Sequence, residues 1–248
     1  MKKFLTVALA GVLAASMLFT GCSKKAESKV PDKLIVGTNA EFPPFEYMND
    51  KKQPEGFDIA MIKEIGKRMG KKVEIKNMEF KSLIGAMESD SINAIIAGMT
   101  KTEKREKAVD FSDSYYTTNQ AIILKKDSKI TKLAQLDGKK IGVQEGTTGD
   151  LISSGDKFGD GKKAKVLVKG AKVKRFKKGV DAVMDLKNGS VDAVVIDELT
   201  ANEFVKKNAK KLKIVIDSAG SEYYCIALTK GNTAYKEEVN KQIKAIKE

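Results

Sequence analysis

Histidine is absent from the 248-residue chain. That one absence removes Ser-His-Asp and Cys-His nucleophile systems and most zinc sites. Cysteine is nearly absent too, at Cys22 and Cys225 only. With Cys22 engaged elsewhere, as argued below, no internal disulfide is expected. Cys225 lies in the strand-like run Tyr223-Tyr224-Cys225-Ile226-Ala227-Leu228 and reads as a buried, unreactive thiol. No glycine-punctuated turn ends in Gly-Lys-Ser/Thr, which argues against nucleotide binding. With the resemblance described below, no catalytic residue, no metal and no cofactor is expected.

Charge is abundant, with a positive excess. The formal net charge is +13, but the lysines are scattered or in short pairs (Lys24-Lys25, Lys51-Lys52, Lys162-Lys163, Lys206-Lys207). No stripe of Lys/Arg interleaved with aromatics marks a nucleic-acid surface. A solvated face attracted to anionic lipid or wall polymer is the better account, with no nucleic-acid partner.

The N-terminus has the order of an export signal. Basic Met1-Lys2-Lys3 precedes an apolar stretch from Phe4 to Thr20, and small Gly21 precedes Cys22. The segment is at the short limit for a membrane span. Leu18-Phe19-Thr20-Gly21-Cys22 resembles a bacterial lipobox, in which the cysteine thiol takes a diacylglycerol and becomes the mature N-terminus. Residues 1–21 are then a lipoprotein signal peptide. Residues 22–33, polar and charged, form a flexible tether, and the folded part works outside the cytoplasm, anchored by lipid on Cys22.

Beyond the tether, short apolar runs alternate with helical patterns. Leu34–Gly37, Val73–Ile75, Ala94–Ala97, Lys140–Val143, Lys165–Val168 and Ala193–Ile196 read as strands. Asp58–Met69, Lys81–Glu88, a segment from Gly149, Val180–Lys187 and a segment from Thr200 read as helices. This alternation predicts parallel α/β layers. The halves echo each other: Met87–Ala97 and Leu186–Ile196 are each a helix end, a tight turn and an apolar strand. Gly98-Met99-Thr100 follows one strand and Asp197-Glu198 the other. Ligands of parallel sheets bind beyond the carboxyl ends of strands, so two matching exits predict two lobes facing one cleft.

Three segments could line that cleft. Thr100 and Glu103 have capping-box spacing, so a helix is expected to start there, with Arg105 one turn in, able to hold a carboxylate with two bonds. The turn Gln144-Glu145-Gly146-Thr147-Thr148 offers backbone N–H groups and two hydroxyls. Asp197 offers a carboxylate to an ammonium, or a helix cap. In Asn39-Ala40-Glu41-Phe42-Pro43-Pro44-Phe45 the prolines stiffen the loop, and Phe42 or Phe45 can form an apolar wall or pack in the core, as can Phe80.

Together these segments resemble the polar amino-acid family of substrate-binding proteins that serve ABC importers. The resemblance is carried by Gly37-Thr38-Asn39, Phe42-Pro43-Pro44-Phe45-Glu46, Gly56-Phe57-Asp58-Ile59, Ala97–Arg105, Asp110-Phe111-Ser112, Leu136–Val143 and Asp192–Asp197. It implies a two-lobed α/β periplasmic-binding-protein fold of type II. Lobe 1 would be residues 34–115 plus 225–248, lobe 2 residues 120–220, and the hinge the crossing segments 116–119 and 221–224. By family position Arg105, with the N–H groups of Thr100 and Thr148, would clamp an amino acid's carboxylate. Asp197, the Gly98 carbonyl and the Thr100 hydroxyl would take its ammonium. Phe42 and Phe80 would sandwich the side chain, while Asn39, Glu41 and Gln144 would read its far end, with Thr147 alongside. A zwitterion leaving water needs both charges met, which fits the pairing of Arg105 with Asp197. Asn39 is a neutral amide where many relatives carry aspartate, and Cys225 stands where they usually carry glycine. The implied partners are a free polar amino acid, an ABC permease with its ATPase, and the membrane, for a monomeric protein. A ligand-sensing module and a same-fold dehydratase or lyase are the alternatives.

Overall fold

A computed structural model of the chain describes residues 29–155 and 168–248, and of 217–220 the backbone alone. The signal peptide, Cys22 and the tether up to residue 28 lie outside the described residues, as does most of the expected strand Lys165–Val168. The first part of the chain forms β1 (Lys33–Thr38), β2 (Glu41–Phe42), β3 (Glu46–Met48), β4 (Pro54–Glu55), α1 (Phe57–Arg68), β5 (Lys72–Asn77), α2 (Leu83–Glu88), β6 (Ala94–Ile95) and α3 (Glu103–Glu106). After β7 (Val109–Lys125) come β8 (Lys140–Gln144), α4 (Thr148–Ser153), β9 (Lys172–Phe176), α5 (Gly179–Asn188), β10 (Ala193–Asp197) and α6 (Glu198–Lys206). β11 (Leu212–Thr229) and α7 (Thr233–Lys247) complete the chain.

Local chemistry explains the elements that matter for the site. In α1 the apolar residues Ile59, Ile62 and Ile65 are fully buried, at helical spacing, while Lys63, Glu64, Lys67 and Arg68 stay at the surface side. Burying each such side chain contributes about 1.5–3 kcal/mol. The helix stops at Gly70, whose φ of +64° lets the chain reverse, and the Lys71 N–H returns to the Gly66 carbonyl at 2.8 Å.

The main sheet has eight strands in the order β5-β1-β6-β11-β7-β10-β8-β9. β5, β1 and β6 run parallel, and so do β10, β8 and β9. Between these blocks lie β7 and β11, antiparallel to each other and to the strands they join. The expected parallel layers are thus present in each half, but the sheet as a whole is mixed. A chain that enters the second half and returns must cross twice, and paired crossings run in opposite directions.

β7 meets β10 from Gln120 to Ile123, whereas β11 meets β6 only at Ala227 and Leu228. In between, the pairs Thr118–Glu222, Thr117–Tyr223 and Tyr116–Tyr224 form a two-strand waist with register shifts on either side. Each half has its own apolar cluster besides the one that spans both: Leu83, Ile92, Ile95 and Phe111 in the first, Ile122, Leu136, Ile141 and Ile152 in the second. Cys225 sits in the first of these, 3% exposed, and burial pushes its thiol up to about 11, as an unreactive core cysteine should be.

β9 was not expected from the sequence. Lys172-Val173-Lys174-Arg175-Phe176 has few apolar residues because it is an edge strand with one face in solvent.

Candidate functional site

A narrow cavity lies between the halves. Every candidate residue except Glu41 and Phe45 lines it, and Phe45 packs in the core instead. From the first half come Asn39 after β1, Phe42 of β2, Phe80 of the 3-10 turn before α2, Gly98 and Thr100 after β6, and Arg105 of α3. From the second come Gln144 at the end of β8, Thr147 and Thr148 at the start of α4, and Asp197, the last residue of β10. The strand exits do converge, and the carboxyl ends of β6 and β10 face one space.

Arg105 is 6% exposed. Its Nη1 donates to the Thr100 carbonyl at 2.5 Å and its Nη2 to the Gly146 carbonyl at 3.0 Å, so the guanidinium touches both halves. Its central carbon lies 5.2 Å from the centroid of the Phe80 ring, within cation–π range. Burial pulls this guanidinium down to about 10, and Glu222 and then Asp197 oppose that by their charge. A guanidinium has five N–H donors, so two carbonyl bonds leave others for an anion.

The helix carrying Arg105 starts differently from the expectation. Thr102, not Thr100, caps α3, its hydroxyl accepting from the Arg105 N–H at 3.3 Å. The Thr100 hydroxyl instead donates to Glu222 at 2.6 Å. Thr147 caps α4, accepting from the Asp150 N–H at 3.3 Å and donating to the Gln144 carbonyl at 2.8 Å, which commits its hydroxyl to the turn.

Asp197 is 3% exposed and does not cap α6 with its side chain. Its carboxylate accepts from the Tyr224 hydroxyl at 2.5 Å and from the Gln120 amide at 2.8 Å. Burial raises its pKa, while these two donors and Arg105 pull it back. Sequence reasoning missed Gln120, Tyr224 and Glu222. All three sit on the crossing strands and bond to residues that line the cavity, and alternation of a buried strand gave no sign of which face turned toward those residues.

Gly98 adopts φ +51°, and a Cβ there would lie 3.1 Å from Phe42, so the backbone approaches the aromatic wall as only glycine allows. Its N–H is held by Asp58 Oδ2 at 2.8 Å, an oxygen that also accepts from the Tyr115 hydroxyl at 2.7 Å. Asp58 and its neighbour Glu46 are both fully buried. Burial, then the Asp58 charge, lifts Glu46 well above the carboxylate range, and burial lifts Asp58 to about 6. Native acids with raised pKa hold protons that the unfolded chain has already released, so stability is greatest in acid and falls as pH rises through these values. Asp197 and Glu222 add to the same trend. Glu46→Gln keeps a neutral donor beside Asp58, so its Tm should lie a few degrees above that of the unsubstituted protein at pH 8 and match it near pH 4. One kcal/mol is worth about 2–4 °C in a chain of this size. Parallel pH profiles for the two proteins in scanning calorimetry would rule out the raised pKa of Glu46.

At the other end of the cavity, Gln144 Nε2 donates across the halves to Asn39 Oδ1 at 2.7 Å, and Asn39 Nδ2 donates to the Met78 carbonyl at 2.8 Å. Gln144 Oε1 is buried and accepts from no described residue. Glu41 lies outside the lining and pairs with Lys178 at 2.7 Å. Lys81–Glu145 at 2.9 Å and Lys177–Glu79 at 2.7 Å also bridge the halves. These rim pairs are solvent-exposed and each contributes little. No cluster of acids or cysteines able to hold a metal occurs among the described residues.

This arrangement, two facing halves with buried opposite charges at their strand ends, has a counterpart among known proteins. The sequence pattern of the bacterial extracellular solute-binding proteins, family 3, matches residues 34–248. The chain belongs to this family. The arginine-binding extracellular protein ArtP of Bacillus subtilis (strain 168) is 35% identical over 224 residues, 90% of this chain and 83% of its own. A solved ancestral arginine-binding protein bound to arginine superposes with a TM-score of 0.79 at 42% identity, covering 88% of this chain and 94% of that one. An ancestral arginine-binding protein bound to glutamine does so with a TM-score of 0.77 at 40% identity, covering 88% and 93%. The fold is therefore the two-lobed type II periplasmic-binding-protein fold. Like the rest of family 3, the chain is a solute-binding protein and not an enzyme.

Proposed function

We propose that the cavity binds one free amino acid, with arginine the first candidate, and that the lobes close over it to present a loaded form to an ABC permease and its ATPase. One observation carries this reading. Arg105 from one half and Asp197 from the other line the same cavity, so a carboxylate and an ammonium on one small molecule find opposite charges on opposite walls. Such a ligand stabilises the closed form by its differential contacts, which is what allows closure to act as a signal.

The far end supports a polar side chain rich in donors. Gln144 Oε1 lacks a donor, and Phe42 and Phe80 offer faces suited to a guanidinium. Relatives named for arginine favour the cation. Asn39 and Gln144 are both neutral amides, which favours glutamine as the second reading, and an ancestral relative was solved with it.

In this reading the hinge is the waist at 116–119 and 221–224, the lobes are residues 34–115 with 225–248 and residues 120–220, and the protein acts as a monomer. The lipid on Cys22 and the tether to residue 33 hold it outside the cytoplasm on the membrane.

A thermal-shift screen of the free amino acids tests the ligand class. Ligand at 100 times its dissociation constant stabilises by about 2.7 kcal/mol, which is about 5–10 °C here. Arginine should give the largest shift, and small-angle scattering should show the radius decreasing when it is added. A screen without any shift would defeat the proposal, and a shift with an unchanged radius would defeat hinge closure.

A further inference from the structure

Glu222 is the buried acid that the reading above leaves without a role. It lies on the waist of β11 opposite Thr118 and is 1% exposed. Its Oε2 accepts from the Thr100 hydroxyl at 2.6 Å and from the Thr148 hydroxyl at 2.8 Å, one residue from each lobe, both lining the cavity. Its Oε1 is buried and accepts from no described residue.

Those bonds dictate what the threonines present to the cavity. A hydroxyl has one hydrogen and two acceptor sites. Both hydrogens are spent on Glu222. Thr148 Oγ1 already accepts from the Gln120 amide at 3.2 Å, and Thr100 Oγ1 accepts from no described residue. Gln120 Oε1 is likewise buried without a donor. With Glu222 ionised, the side-chain groups at this end are therefore all acceptors: the two threonine oxygens and the Asp197 carboxylate line the cavity, and Gln120 Oε1 and Glu222 Oε1 are buried behind them. This end has no hydrogen to give to an anion from these groups, and a cation with several N–H donors matches it.

We propose that Glu222 is a positioning and specificity residue that, through Thr100 and Thr148, makes this end of the site demand the ammonium group of a bound amino acid. The inference rests on the amino-acid reading and goes one step further, from a ligand with two charges to the residue that rejects a ligand with only one.

The electrostatics act in the same direction. The ionisable groups around Glu222 are Asp197 at the end of β10, Arg105 of α3 and Tyr224 on its own strand; Gln120 of β7, Thr100 and Thr148 carry no charge. Burial, with Asp197 adding to it, pushes Glu222 up to about 8. Closing the cleft without a cation therefore requires Glu222 to take up a proton, so unliganded closure is favoured in acid and opposed above pH 8. Closing around an ammonium leaves the carboxylate ionised.

The test uses the full chain with two probes, L-arginine and 5-guanidinopentanoate, the same molecule without its ammonium. In calorimetric titrations at pH 8.5, Glu222→Gln should bind L-arginine at least about tenfold more weakly than the unsubstituted protein, as one charge-assisted contact implies. Its affinity for 5-guanidinopentanoate should not fall. An equal loss for both probes, the mark of a structural defect, or no loss for L-arginine overturns the assignment. If the analogue binds neither protein, scattering of the unliganded forms decides. The unsubstituted protein should be more compact at pH 6 than at pH 9, and Glu222→Gln equally compact at both; a radius independent of pH in the unsubstituted protein overturns the assignment. If the unsubstituted protein binds no L-arginine at all, the failure lies in the amino-acid reading, and the role of Glu222 falls with it.

Discussion

Arg105→Ala should weaken amino-acid binding by at least about tenfold, and the physical estimate lies well above that floor. Truncating one partner of a buried, hydrogen-bonded charge pair costs about 2–5 kcal/mol, or more than about 30-fold in affinity. Three losses coincide in this substitution. The cation facing the ligand carboxylate goes, and so do the bridge from Thr100 to Gly146 and the cation–π contact with Phe80. Arg105→Lys keeps the charge but not the planar fork, so it should recover only part of the affinity. Calorimetry decides the matter: an unchanged dissociation constant in Arg105→Ala takes this residue out of the site. The folded protein should survive, because α3 is short and its cap at Thr102 is a separate interaction.

Asp197→Asn should produce the second large effect. The substitution preserves size but replaces one acceptor oxygen with a donor, where Tyr224 and Gln120 now both donate. It also removes a negative charge that opposes the desolvation of Arg105. We expect a loss of about 2–5 kcal/mol in binding. The double variant Arg105→Ala with Asp197→Asn should lose less than the sum of the single losses, since each charge compensates the other when the ligand is absent. Strict additivity in a double-mutant cycle would show that the two residues do not share a ligand. Asp197→Asn should also flatten the fall in stability with rising pH, because a buried acid with raised pKa no longer titrates.

Much of this site is legible in the order of residues. The strand exits at Gly98 and Asp197 are visible because buried parallel strands are continuous apolar runs, and polar residues just beyond them stand out. Arg105 is legible as a cation one turn beyond such an exit, although the cap belongs to Thr102 and not to Thr100. Two nearby hydroxyls are both placed to cap, and only the backbone path chooses between them. Glu41 is a fair candidate by position, but Lys178 reaches it from the other half. No local pattern announces a partner so distant in sequence.

The class of the molecule follows from the chain alone. The missing histidines, the alternating apolar runs, the matched strand exits and the motifs of family 3 are enough for a two-lobed solute-binding protein with opposite charges at one cleft. Which polar groups of the crossing strands turn inward is a matter of three-dimensional packing. The register of β11 against β7 carries Glu222 to Thr118 and Tyr224 to Tyr116, and that register places an extra carboxylate between hydroxyls of the two lobes. The same long-range packing sets Glu46 against Asp58 behind Gly98. One physical cause underlies both. Strand periodicity reveals that residues alternate between faces, but a slip of one residue exchanges the faces, and the register is set by partners a hundred residues away.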